Sequence, residues 1–219
     1  KERYYAGVAA RQKEKISITE SVWETMKCRP FRLKICAVLC FSLGSSMVGS
    51  LGYYATVYYV AGGDTKVGNN WNGATGVGWM LGGFLGVPVV AWVCRRVGKL
   101  RTMLSICGFG ALAYGATWFF YSPSMPWLQV AASATMAITA AGYYMLDQTI
   151  GADIMDYLAL NTGKRREGAF SACGSWMSKA GNALGYFLSG QVLGLTGFSA
   201  DKAVQTPETI MWIRILLAG

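Results

Sequence analysis

Forty-five consecutive residues, Thr102 to Leu146, contain no Asp, Glu, Lys or Arg. A water-soluble domain rarely does this, because roughly a quarter of its residues carry charge. Here 14% of 219 residues are charged and 53% are apolar. A helix crossing a hydrocarbon core of roughly 30 Å needs about 20 mainly apolar residues, and several stretches reach that length. Ile35 to Gly63 and Val67 to Cys94 are also free of charge, and from Gly168 to Ala200 the one charged residue is Lys179.

The longest run exceeds one crossing and contains Ser122-Pro123-Ser124-Met125-Pro126. Proline cannot donate to a helix ladder and restricts the residue before it, so the run divides into two helices joined by a tight turn. Complete spans are expected at about 33–60, 71–94, 102–121, 127–150 and 169–195. A sixth starts near Thr209, and 209–219 makes about half a crossing. The first residues are basic and polar, with neither an initiator Met nor a signal peptide. A piece of a longer chain is therefore expected. The glycines of the second span, Gly78, Gly82 and Gly86, recur every four residues, which places them on one face where backbones can approach closely in lipid. No internal repeat can be asserted from sequence, although six-helix halves often hide a three-plus-three inverted one.

Lys and Arg favour the cytoplasmic side of short loops. Their numbers in successive loops are nine through Lys34, then one, four (Arg95, Arg96, Lys99, Arg101), none, three (Lys164, Arg165, Arg166) and one. This alternation places the N-terminal segment and the loops around Arg95 and Arg165 in the cytoplasm, and it accounts for the net charge of +9. No basic stripe with interleaved aromatics is left over, so nucleic acid is not an expected partner. The six Cys have no ligand-like spacing and there is no His, so no metal site or cofactor is expected. Residues 1–32 read as a cytoplasmic connector with a short amphipathic helix, capped by Ser17 with Glu20 or Ser21 with Glu24. A linker lying on the membrane surface and a gating element are both open for it.

Lys179 is the most informative residue. It lies about 10 residues, or roughly 15 Å, into the fifth span, where an ionisable group costs at least ~2.5 kcal/mol unless it faces a bundle interior or a wet cavity. A solute or coupling site and a purely structural ion pair both explain it. On the same helix Ser171, Ser175, Ser178, Asn182 and Ser189 form a polar stripe, with Trp176 and Tyr186 as stacking platforms. Interhelical hydrogen bonding is the bland alternative for that stripe. Tyr144, Asp147, Gln148 and Gly151 share a face of the fourth span, and Asp147 is expected to neutralise Lys179. The first span adds Ser42, Ser45, Ser46, Gly49 and Tyr53, so three helices are expected to line one polar, aromatic-walled cavity suited to a polyhydroxylated solute. Asp153 and Asp156, with Arg165, Arg166 and Glu167, are expected to form a salt-bridged latch on the cytoplasmic face; ordinary interfacial charge is the alternative.

Asp153-Ile-Met-Asp156-Tyr157, Thr162-Gly163-Lys164-Arg165-Arg166-Glu167-Gly168 and Lys179, twelve residues after Glu167, resemble the signature of the glycoside-pentoside-hexuronide:cation symporters, the melibiose permease-like branch of the major facilitator superfamily. The resemblance spans the chain: Arg29-Pro30-Phe31 is similar to the segment before the family's seventh helix, and Arg95 to Arg101 to its loop between helices eight and nine. It implies an all-α integral membrane fold, here the six-helix C-terminal half of a twelve-helix bundle with its last helix truncated. It also implies symport of a sugar, glycoside or uronide with Na⁺ or H⁺ by alternating access. The expected setting is multi-pass in a plasma membrane, the inner membrane of a bacterium, with lipid and the N-terminal six-helix half as partners. Lys179 matches an intramembrane lysine of sugar and cation coupling, and Asp153, Asp156 and Arg165 match gating charges. Tyr144 stands where melibiose permease has a sugar-facing Trp, and Gly174 and Ser175 where it has Gln and Thr. The family's cation-binding acidic residues lie in the other half.

An enzyme is not expected: there is no His, no Gly-x-Ser-x-Gly elbow, and Trp176 stands three residues before Lys179 where a Ser would be needed. A lysolipid or drug carrier of the same fold and a non-transporting scaffold are the remaining alternatives.

Overall fold

The computed structural model describes residues 23, 25–162, 167–199, 202 and 204–218, and among these every regular element is a helix. Helix α1 runs Arg29–Tyr54 and continues as a π-helical segment, Ala55–Val60. Then follow α2 (Thr65–Val97), α3 (Lys99–Gly115), the short α4 (Thr117–Phe120), α5 (Leu128–Thr162), α6 (Glu167–Leu195) and α7 (Pro207–Ala218). Between α4 and α5 the chain is non-helical across Pro123 and Pro126.

Helix ends differ from the expected spans because hydropathy marks where lipid begins, whereas caps and breakers mark where a helix begins. Helix α1 starts four residues before Leu33: Cys28 is extended and Pro30 occupies the first turn, where its missing N–H costs nothing. Helix α2 starts at Thr65 because the Asp64 carboxylate accepts from the backbone N–H of Lys66 (2.9 Å) and Val67 (3.2 Å). Helix α5 does not stop near Ile150 but continues through Asp153 and Asp156 to Thr162. A single residue, Gly98 at φ +89°, separates α2 from α3. Ser17, Glu20, Ser21 and Glu24 lie outside the described residues.

Among the described residues three helical stretches, Arg29–Val60, Thr65–Val97 and Lys99–Phe120, are long and apolar enough to cross a membrane. Helices α5 and α6 also have the length, at 35 and 29 residues, and carry charged residues within it, Asp147, Asp153 and Asp156 on α5 and Glu167 and Lys179 on α6. Large apolar side chains point outward on α2 to α4, among them Phe84, Leu104, Leu112 and Phe119. In water such a surface is a liability; against lipid tails it is the ordinary outer face.

Two parallel helix pairs carry the packing. Gly78, Gly82 and Gly86 of α2 lie so close to α5 that a methyl group on each would meet Val130 and Ser133, the Ala134 backbone, and Ile138 respectively. Gly181 and Gly185 of α6 lie equally close to Leu39, Leu43 and Ser46 of α1. The second helix of each triplet thus sets its glycines on the first helix of the other, the contact pattern of an inverted repeat. Three apolar clusters close the remaining gaps: Phe31, Ile35 and Phe170 at one end, Val90, Ile106, Tyr143 and Leu146 in the middle, and Leu51, Tyr121, Leu193, Ile213 and Leu217 towards the other end. Arg214 of α7 lies against the rings of Trp118 (4.2 Å) and Tyr59 (4.5 Å) and donates through Nη2 to the Trp118 carbonyl (3.0 Å), while its Nε is buried without a hydrogen-bond partner among the described residues.

Gly82→Ala is expected to cost about 1–3 kcal/mol, the usual cost of overpacking. It should lower the melting temperature of the detergent-solubilised protein, whereas Gly83→Ala, with nothing within 4 Å of the added methyl, should not. Equal melting temperatures would show that the pair is not held by this contact.

Candidate functional site

Where α1, α5 and α6 meet near the Phe31 end, they enclose a cleft of about 340 Å³. Its wall carries Lys34 and Val38 from α1, Tyr144, Asp147, Gln148, Gly151 and Met155 from α5, and Phe170, Ser171, Gly174, Ser175, Ser178 and Lys179 from α6. Tyr144, Asp147, Gln148, Ser175 and Lys179, all singled out from sequence, are therefore brought together. Trp176 and Asn182 are not among the lining residues. Trp176 is exposed beside the cleft, and Asn182 Oδ1 accepts from Ser46 (2.8 Å).

The partner of Asp147 is a correction. Its Oδ2 is 2.9 Å from Lys34 Nζ rather than paired with Lys179, and both side chains are nearly buried, at 8% and 10% exposure. Three local features explain the choice. Because α1 begins at Arg29, Lys34 sits one and a half turns inside the helix, on the face it shares with Val38 and Ser42. Gly151 leaves the room its stem occupies, since a methyl group there would meet Lys34 Cε at 2.9 Å. Phe170 lies beneath the ammonium, 5.5 Å from ring centre to Nζ. Lys179 is exposed to the cleft side and has no ion pair among the described residues. The cleft thus holds two ammonium groups against one carboxylate. Phe41 stacks on Tyr143 at 3.8 Å and meets Tyr144 edge-on at 5.5 Å, which fixes the aromatic wall.

The serine stripe divides by depth. Ser171 and Ser175 face the cleft, Ser178 both lines it and bonds Ser42 (3.1 Å), and Ser189 bonds Ser50 (3.0 Å) across the α1–α6 seam. Below Ser178 the stripe serves helix association. The α1 face divides as well: Ser42 and Ser46 are buried in that seam, while Ser45, Gly49 and Tyr53 line a second cleft of about 250 Å³ with Asn72, Thr75, Trp79, Tyr114 and Ser133. The single cavity expected between three helices is therefore two clefts, because α1 turns successive serines to opposite neighbours.

Asp153 is paired with Lys99 (2.7 Å) from the start of α3, and the pair is exposed. Arg165 and Arg166 of the expected latch lie outside the described residues; Asp156 and Glu167 each make an interaction. Among the described residues no three His, Cys, Asp or Glu side chains group as a metal site would require.

Lys34 was missed from sequence as a loop charge. Counting back two turns from Ser42 along the polar face of the first span reaches it, so the signal was present in the periodicity.

The family described as MFS/sugar transport protein matches residues 1–219. The chain is 32% identical over 147 residues to the Glucuronide carrier protein homolog of Escherichia coli (strain K12), covering 64% of this chain and 30% of that carrier. It is 29% identical over 216 residues to an uncharacterized symporter of Bacillus subtilis (strain 168), covering 94% of this chain and 42% of that protein. An uncharacterized symporter of Synechocystis is 38% identical over 99 residues, 41% of this chain and 18% of that protein. The chain matches less than half the length of each of these relatives.

Removing one member of a buried ion pair costs about 3–5 kcal/mol, and a wet cleft on one side lowers that to about 1–3. Lys34→Met should therefore destabilise the protein in thermal unfolding, and Lys34→Met with Asp147→Asn should recover most of the loss. A double variant no better than the single one would mean that the pair contributes nothing beyond packing.

Proposed function

The chain belongs to the MFS/sugar transport protein family, and we propose that it is the C-terminal half of a symporter that moves a sugar, glycoside or uronide together with Na⁺ or H⁺. The observation that carries the reading is the cleft shared by Lys34, Asp147, Gln148, Ser175 and Lys179. In a multi-pass membrane protein such ionisable groups are costly, and they persist where they face a solute path. Hydroxyls and an amide match the hydroxyls of a sugar, and Tyr144 offers a ring face. Two ammonium groups against one carboxylate favour a solute bearing a carboxylate, so a uronide fits the charge better than a neutral hexose. The similarity to a protein named as a glucuronide carrier homolog agrees with that choice.

In this reading the glycine-packed pairs move as units around the solute, and the N-terminal half supplies the opposing wall and the cation ligands. The Lys99–Asp153 end faces the cytoplasm by its excess of Lys and Arg, in a plasma membrane. A carrier for lysolipids or drugs would not need a cleft of this polarity.

The test is uptake of labelled glucuronate, methyl glucuronide and glucose into proteoliposomes containing the full-length parent, with imposed Na⁺ or proton gradients. Gradient-driven accumulation is expected for wild type and should vanish in Lys179→Ala. Accumulation that survives Lys179→Ala removes that lysine from the coupling path. No uptake by folded, inserted protein removes the sugar reading.

A further inference from the structure

The second cleft differs from the first in position and chemistry. Its α1 residues begin past Ser42, and Gly49 lies fifteen residues from Lys34, roughly 22 Å along the helix axis. No charged side chain lines it. Asn72 Nδ2 is buried there without a hydrogen-bond partner. An unpaired buried donor costs about 1–3 kcal/mol, which a guest oxygen can offset. Ser45 and Tyr114 bring hydroxyls from the facing helices, and Tyr53 and Trp79 stand at the rim, 44% and 43% exposed.

We propose that this cleft is a second binding site, for one uncharged sugar ring. The proposal rests on the reading of the protein as a sugar carrier and extends it to a site none of the charged residues touches. A guest hydroxyl accepts from Asn72 Nδ2, others exchange bonds with Ser45 and Tyr114, and the apolar C–H face of the ring lies on Trp79. The cleft, of about 250 Å³, has room for a single ring. The absence of charge also separates the two clefts by ligand: the first favours the carboxylate end of a uronide, the second a neutral ring.

The glycines at the two sites supply the test. A Cβ added at Gly49 or at Gly174 meets nothing within 4 Å, so Gly49→Cys and Gly174→Cys are suitable reporters at the second and first clefts. In a cysteine-free version of the full-length parent, reconstituted in lipid, alkylation of each reporter by a maleimide is timed with and without methyl glucoside and methyl glucuronide. Methyl glucoside is expected to slow alkylation at Gly49→Cys several-fold. Adding Asn72→Leu, or Trp79→Ala at the exposed rim should the first variant not fold, is expected to abolish that protection while protection at Gly174→Cys remains. Protection at Gly174→Cys alone overturns the second site and leaves the carrier reading standing. Protection at Gly49→Cys that persists with Asn72→Leu and with Trp79→Ala reports closure of the bundle rather than occupancy and overturns it too. Protection at neither reporter by either sugar overturns the carrier reading and this site with it.

Discussion

In hydrocarbon, helices gain nothing by hiding apolar surface from one another, so what holds a bundle together is contact close enough for dispersion and for hydrogen bonds between backbones and small side chains. This chain meets the constraint twice, with Gly78, Gly82 and Gly86 of α2 on α5 and with Gly181 and Gly185 of α6 on α1. The Ser–Ser and Ser–Asn bonds of the α1–α6 seam exist because those glycines bring the helices near enough. Both clefts are a by-product of the same arrangement. Where two tightly closed pairs are laid side by side, the gaps fall between pairs rather than within them.

Charges inside the bundle are handled in different ways. Lys34 and Asp147 neutralise each other across the boundary between pairs, and Arg214 spreads its charge over two aromatic rings and a carbonyl. Lys179 has no such arrangement among the described residues, and its exposure on the cleft side leaves it open to solute or to groups from outside this chain. Among the described residues the bundle thus holds a cation paired internally, Lys34, and one without an ion pair, Lys179.

The all-helical membrane fold was legible because its signal is additive: each charge-free stretch reports on lipid independently of the others, and the glycine spacing of α2 reports a packed face by itself. Cleft residues on single helix faces, such as Tyr144, Asp147, Gln148 and Ser175, were legible for the same reason. What could not be read was pairing between helices. Asp147 finds Lys34 rather than Lys179 because Pro30 starts α1 early and Gly151 opens a path for the lysine stem, and both facts concern helices more than a hundred residues apart in sequence. The division of the α1 serines between a seam and a second cleft likewise depends on which neighbour each face meets, which periodicity does not specify.

Helix α5 runs without a break through its ion pairs with Lys34 and Lys99. Asp147 and Asp153 are six residues apart, which sets them roughly 9 Å apart in height and about 120° apart around the axis. Lys34 therefore pulls on α5 from the α1 side, and Lys99 from the α2–α3 corner, where Gly98 is the entire connection. The helix is moored from two directions at two heights. Because one unbroken helix carries both carboxylates, any rigid-body movement of α5 would strain the two pairs together.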